Sequence, residues 1–295
     1  MLEVHDVTKK FKSGKGIFNV SFSIKQGEVF GFLGPNGAGK STTIRLIMGF
    51  MRPDTGYIEI NDLDTWQNQG KVQKYIGYLP GEIAFLEGMT GKGFLDFMGE
   101  MQGLKELSKR NNLIERLQFD ANTPIRKMSK GMKQKVGLVA ALMHDPEVII
   151  LDEPTSGLDP LMQRVFIELI LEEKAKGKTI LLSSHSLPEI ERTCDRAAII
   201  KKGKVITIKD IHELQSMQRK LFEITFQNHN DAAAFTKSNL HIEFHEKNKV
   251  RVAVQGNFDE FLAETAKYHV RNIDVFTQNL EETFMNYYDS EEGVR

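Results

Sequence analysis

One cysteine, one tryptophan and eight prolines are spread over 295 residues. With Cys194 alone, the chain has neither an internal disulfide nor a cysteine zinc cluster, which fits a reducing compartment. A dominant charge is also missing, because 39 lysines and arginines stand against 40 acids for a formal net charge of −1. That balance supplies no electrostatic drive toward wholesale nucleic-acid binding, and no nucleic-acid partner is expected. Long apolar runs are absent as well. The longest, residues 136–143, has the length of a buried helix segment, far short of the ~18 residues that suggest a bilayer span. The opening Met1-Leu2-Glu3-Val4-His5-Asp6 has neither the basic start nor the apolar core of a signal peptide. Together these absences predict a soluble chain, so that a membrane role must come through a partner.

What is present is a globular composition, 40% apolar and 27% charged, with alternating strand and helix patterns. Over 2–60 the chain reads as short strands: Val20-Ser21-Phe22-Ser23-Ile24 has a period of two, and the turn Lys25-Gln26-Gly27-Glu28 follows. Val29-Phe30-Gly31-Phe32-Leu33 is continuously apolar, as a strand buried on both faces should be. Helical spacing marks 91–117, 129–144, 161–175 and 188–194, and aliphatic strands are read at 148–151, 179–182 and 197–200. This alternation predicts an α/β fold with a mainly parallel sheet. Around 211–220 the texture turns polar, and a boundary is drawn between a domain over 1–215 and a small unit over 216–295. In the latter, strands near 221–226, 241–245, 250–254 and 270–276 alternate with helices near 231–237, 259–268 and 281–288. The order β-α-β-β-α-β is that of a ferredoxin-like α+β domain with an added helix.

Gly34-Pro35-Asn36-Gly37-Ala38-Gly39-Lys40-Ser41 satisfies the phosphate-loop pattern G-x-x-x-x-G-K-[ST] in full, between a strand and a helix starting near Thr42. The glycines allow a tight turn whose N–H groups face phosphate oxygens. Lys40 brings charge to the β- and γ-phosphates, Ser41 a hydroxyl to Mg²⁺, and the helix its positive end. The partner acid belongs at the end of a buried strand, and Val148-Ile149-Ile150-Leu151-Asp152-Glu153 supplies it. There Asp152 can hold the metal through water, and Glu153 can polarise the attacking water. His185, after the strand over 179–184, sits at a carboxyl strand end, where open α/β sheets place their ligands.

On these motifs the chain resembles the nucleotide-binding subunits of ABC transporters over about residues 2–210. Met128-Ser129-Lys130-Gly131-Met132-Lys133-Gln134 looks like a degenerate form of the family's signature, and Ser156-Gly157-Leu158-Asp159 like its D-loop. The resemblance implies that Phe11 stacks on adenine and that His185 is the switch histidine at the γ-phosphate. It further implies that Ser129, Gly131 and Asp159 serve the ATP site of an opposed subunit, in a homodimer or heterodimer. The implied fold is a P-loop core with an N-terminal antiparallel β subdomain and a helical subdomain near 82–135. Ser129 also suits a helix N-cap, and Gly131 lets N–H groups approach an anion.

The chain departs from the family at three positions. Lys130 and Met132 replace a glycine and a glutamine of the signature, and Gly81 stands where the Q-loop glutamine belongs, with Glu82 offered as a metal contact one residue along. The resemblance implies an ATP- and Mg²⁺-dependent ATPase working with a separate integral-membrane permease, peripheral on the cytoplasmic face of the membrane. The layout, with the tail Leu280-Glu281-Glu282-Thr283-Phe284, is that of subunits serving bacterial exporters. Alternatives are a soluble ABC ATPase acting on ribosomes or DNA, disfavoured by the single P-loop and the lack of sustained heptads, and a non-hydrolysing regulator. In the C-terminal unit, His241, Glu243 and His245 lie at strand spacing, and paired edge polar residues explain them better than a metal.

Overall fold

A computed structural model describes residues 1–211, 213, 220–254 and 258–277. The chain divides into two compact units, Met1–Lys209 and Asp210–Arg295. The first opens with β1 (Leu2–Lys10), β2 (Gly16–Ile24), β3 (Val29–Leu33) and helix α1 (Lys40–Ile47). Then come β4 (Thr55–Ile60), β5 (Leu63–Asp64), the single turn α2 (Gln69–Val72) and β6 (Ile76–Leu79). Three helices follow: α3 (Gly91–Met101), α4 (Ser108–Arg116) and α5 (Lys130–Leu142). The remainder alternates through β7 (Val148–Asp152), α6 (Pro160–Ala175), β8 (Thr179–Ser184), α7 (Leu187–Thr193), β9 (Arg196–Lys201) and β10 (Lys204–Asp210).

Two sheets share one core. The antiparallel sheet runs β2-β1-β4-β5, and the larger one β10-β9-β3-β8-β7-β6. In the larger sheet, β9, β3, β8, β7 and β6 are mutually parallel. All residues of β3, β7 and β8 are buried, which is why these strands read as unbroken apolar runs. In β2, Phe22 and Ile24 are buried while Ser21 and Ser23 are exposed, so its period of two marks a sheet with one wet face. The two sheets meet where Phe22 stacks on Phe30, with centroids 5.2 Å apart. Because β8 lies between β3 and β7, the carboxyl ends of all three stand side by side, Leu33 beside Ser184 and Asp152 beside Ser183.

The helical texture over 91–117 is two helices. Gly103 takes φ +69, and the Leu104 N–H turns back to the Gly99 carbonyl at 2.9 Å, which closes α3. Side-chain caps start three helices here: Thr90 on α3, Ser129 on α5 and Asp159 on α6.

The second unit contains β11 (Lys220–Phe226), α8 (His229–Phe235), β12 (His241–Glu246), β13 (Lys249–Val254), α9 (Asp259–Thr265) and β14 (Val270–Thr277). Its sheet is antiparallel in the order β12-β13-β11-β14. Ile224, Phe226, Val250 and Val252 pack against Ala232 and Phe235 of α8 and Phe261 of α9. The helix expected over 281–288 lies outside the described residues.

Candidate functional site

The phosphate-loop segment closes between the end of β3 and the first turn of α1. Gly39, immediately before α1, takes φ +116, a backbone region that side-chain-bearing residues rarely occupy. The fold brings Phe11 together with Pro35, Asn36, Gly37, Gly39, Lys40, Ser41, Thr42 and Glu153 around a cavity of about 310 Å³. Gly34 and the buried Ala38 back the loop. Six residues apart in sequence, the Lys40 ammonium donates to the Gly34 carbonyl at 2.5 Å and returns the loop onto itself.

Across the cavity stands the end of β7. Asp152 is buried and accepts from the Ser183 hydroxyl at 2.5 Å. Glu153 takes a left-handed φ of +51, which is uncommon for a residue with a side chain and is held by tertiary contacts. Its N–H donates to the Ser183 carbonyl at 3.2 Å and to the Ser183 hydroxyl at 3.1 Å. That turn directs one carboxylate oxygen to Lys40 at 3.0 Å and the other to His185 Nδ1 at 2.7 Å. A carboxylate only accepts, so Nδ1 carries the proton in this bond and Nε2 points elsewhere. Lys40 of α1, Glu153 and His185, brought from three parts of the sequence, thus form one linked chain beside the phosphate loop.

The donor set suits a magnesium nucleotide. Oxygen ligands are available from Ser41 and Asp152, the class that Mg²⁺ prefers, and the ammonium and helix start suit polyphosphate. Gly81 stands against the Asp152 carboxylate: a Cβ built there would lie 3.2 Å from Asp152 Oδ2. Glu82, one residue on, is exposed.

Ser129, Gly131 and Asp159 are not among the residues lining this cavity. Ser129 caps α5 by accepting from the Met132 N–H at 3.2 Å, and Asp159 caps α6 by accepting from the Met162 N–H at 3.0 Å. Gly131 packs so closely that a Cβ would meet the Gly157 carbonyl oxygen at 2.5 Å. Lys130, the glycine replacement, donates to Ser156 Oγ at 2.7 Å, so the two segments are joined within one chain. Gln134 donates to the carbonyls of Glu153 and Pro154 at 3.2 and 2.9 Å and braces the turn that sets Glu153.

Sequence reasoning missed Glu189. On α7 it is 7% exposed, accepts from Ser184 and Thr155, and burial pushes its carboxyl up to about 7. A glutamate in the first turn of a short helix ordinarily reads as a solvated dipole partner, so no signal in the sequence separates it. Tyr78 was missed likewise; burial, and then the charge of Asp152, push its phenol up to about 12.

In the second unit the alternation through His241, Glu243 and His245 is broken by a register shift between Ile242 and Phe244. His245 lies near the Lys247 carbonyl at 3.2 Å and stacks on His229. Among the described residues, three ligand-type side chains come within 4.8 Å of one another only at Glu3, His5 and Glu59. There His5 bonds Glu3 at 2.8 Å and stacks on Tyr57, a paired surface cluster on the antiparallel sheet. Among the described residues no helix is long and apolar enough to cross a membrane.

Residues 17–156 match the family model described as ABC transporter. The chain is 32% identical over 298 residues to the bacitracin transport ATP-binding protein BcrA of Bacillus licheniformis, an alignment covering 97% of this chain and 96% of that one. Identity to the linearmycin resistance ATP-binding protein LnrL of Bacillus subtilis is 33%, over 97% of each chain. A solved ATP-binding subunit of an ABC transporter shares the fold with a TM-score of 0.67 and 33% identity, over 73% of this chain and 92% of that one.

Proposed function

The chain belongs to the ABC transporter family as an ATP-binding ATPase subunit, and on that premise we propose that it powers an exporter whose permease is a separate polypeptide. The observation that carries the ATPase roles is the chain Lys40–Glu153–His185 beside the phosphate loop, with links of 3.0 and 2.7 Å. Lys40 and N–H groups of the loop and the start of α1 bind the phosphates, and Phe11 at the cavity rim stacks on the base. Glu153 orients the attacking water, and His185 contacts the γ-phosphate through Nε2. Ser41 and Asp152 would hold Mg²⁺, which supplies charge neutralisation at the phosphates when bound.

Ser129, Gly131 and Asp159 lie apart from the cavity their own chain forms, which suits service to a second ATPase subunit, identical or related. In that arrangement two phosphate sites close head to tail, and ATP stabilises the closed pair. The exporter reading draws on the two relatives aligned along nearly their whole length, one named for bacitracin transport and the other for linearmycin resistance. Both alignments extend through the second unit, which we assign as a ferredoxin-like accessory domain on its strand order.

The test is recovery of the tagged chain from gently solubilised membranes of its host. A multi-span protein recovered in fixed ratio supports the exporter subunit. Ribosomal particles, DNA or an unaccompanied dimer recovered instead overturns the transport reading and leaves the ATPase assignment standing. Truncation after residue 215 should leave ATP binding intact; loss of binding would overturn the accessory role of the second unit.

A further inference from the structure

We propose that Glu189 is a positioning residue for hydrolysis: its buried carboxyl ties the strand end carrying His185 to the turn that follows Glu153. The proposal rests on the assignment of Glu153 and His185 to the hydrolytic step.

Two hydroxyls converge on one oxygen of this carboxyl. Ser184 Oγ donates to Glu189 Oε2 at 2.6 Å, and Thr155 Oγ1 donates to the same oxygen at 3.2 Å. Ser184 immediately precedes His185, and its hydroxyl also accepts from the Ser186 N–H at 2.9 Å, so the histidine's backbone is bracketed on both sides. Thr155 lies two residues beyond Glu153, inside a turn closed by the Ser156 N–H on the Glu153 carbonyl at 3.1 Å. Glu153 holds an unfavourable left-handed backbone, so its aim depends on what anchors that turn. Glu189 is itself anchored, because its carbonyl accepts from Thr193 Oγ1 at 2.8 Å within α7.

The carboxyl's side-chain bonds go to Ser184 and Thr155, and it acts on His185 and Glu153 through them. Its second oxygen, Oε1, is buried and has no partner among the described residues. An ionised carboxylate there would leave charge unsatisfied in a dry setting, which accounts for the upward displacement to about 7. Glu153 raises and His185 lowers its tendency to hold a proton, and its own charge in turn acts on Cys194 of the α7 end. Arg164 and Arg192 border the same cavity of about 540 Å³ that Glu189 and His185 line. Glutamine reproduces the shape and hydrogen-bonding of the neutral acid, whereas alanine removes the tie.

Steady-state ATP hydrolysis of the full chain separates these roles, with a fluorescent ATP analogue measuring affinity and thermal melting reporting the fold. Glu189→Ala is expected to lower kcat ~10-fold or more with KM within ~2-fold, as misorientation of reacting groups does. Glu189→Gln is expected to retain kcat within ~3-fold, rescuing the alanine variant. Thr155→Val should lower kcat ~3-fold alone and add nothing in the Glu189→Ala background, since both cut the same tie. Wild-type kcat in Glu189→Ala, a glutamine variant as poor as alanine, or independent multiplication of the two defects would each overturn the proposal. If Glu189→Ala does not fold, the pair Thr155→Val and Glu189→Gln decides it: wild-type kcat in the valine variant, or loss in the glutamine variant, sinks it. Glu153→Gln is measured beside them. Hydrolysis surviving in that variant would remove the underlying assignment, whereas its loss with a fully active Glu189 set would remove only the present proposal.

Discussion

Five parallel strands of the first unit send their carboxyl ends to one edge, whereas the four antiparallel strands of the second alternate and no edge collects them. At the collecting edge, residues 113 and 32 positions apart become neighbours: Lys40 meets Glu153, and Glu153 meets His185, in one linked chain. In the second unit, polar side chains pair across adjacent strands instead. Glu223 of β11 accepts from Lys249 and Arg251 of β13, each at 2.8 Å. The difference follows from topology. A parallel sheet needs crossover connections, which leave loops from several strands converging at one end, and these are what a reaction requires.

The largest effect should come from cutting the first arrangement at its centre. Glu153→Gln is expected to lower ATP turnover ~100-fold or more with ATP binding retained, while His245→Ala in the second unit leaves turnover within ~2-fold. Equal losses in a phosphate-release assay would erase the contrast between the units.

Two buried carboxyls sharpen it further, because their linkages to pH have opposite sign. Burial raises Glu189 from an ordinary value of 4.5 to about 7, so stability is fully present below 4.5 and falls as pH rises through 7. Glu189→Gln removes that loss, a gain on the order of 3 kcal/mol at pH 8 relative to pH 4 in urea titrations. A parallel decline in wild type and variant would contradict the burial of an unpaired oxygen. Gly131→Ala is the intermediate case. Its new Cβ meets the Gly157 carbonyl at 2.5 Å, so a loss of ~1–3 kcal/mol and a lowered melting temperature are expected. Gly103→Ala is no matched control because of its positive φ, but Gly70→Ala is, since a Cβ there meets nothing within 4 Å.

The smallest effect belongs to Glu223. Hydrogen bonds from Lys249 and then Arg251 hold its carboxyl below the usual range, so its contribution is present above that range and lost as pH falls through the lowered value. Glu223→Gln should cost about 0.5–1 kcal/mol at pH 7, as half-exposed ion pairs do, and progressively less as pH falls toward 3. Hydrogen exchange of β11 and β13 at the two pH values measures it, and an unchanged difference would show that the pairs contribute by packing alone.

Much of the first unit was legible because its signals are local. The continuous apolar runs of β3, β7 and β8 announce strands buried on two faces, and Ser129 and Asp159 announce helix starts through single capping bonds. The split of 91–117 into two helices was hidden, since apolar spacing continues across Gly103 while the left-handed turn there ends α3. The bulge between Ile242 and Phe244 was hidden for a related reason: one slipped residue reverses which side chains share a face, and nothing in the local pattern marks the slip.

By itself the sequence determined the phosphate loop, because residues 34–41 are contiguous and backbone geometry alone turns glycines, a lysine and a serine into an anion cradle. It also placed Asp152, Glu153 and His185 at strand ends, since apolar runs stop where strands do. Tertiary structure alone decided that Lys130 reaches Ser156, that Gly81 faces Asp152, and that Glu189 joins the two strand ends beneath His185. Those contacts depend on which strands become neighbours, and the protonation of Glu189 depends on how completely its surroundings exclude water. Both are properties of the assembled sheet, which no short stretch of chain carries.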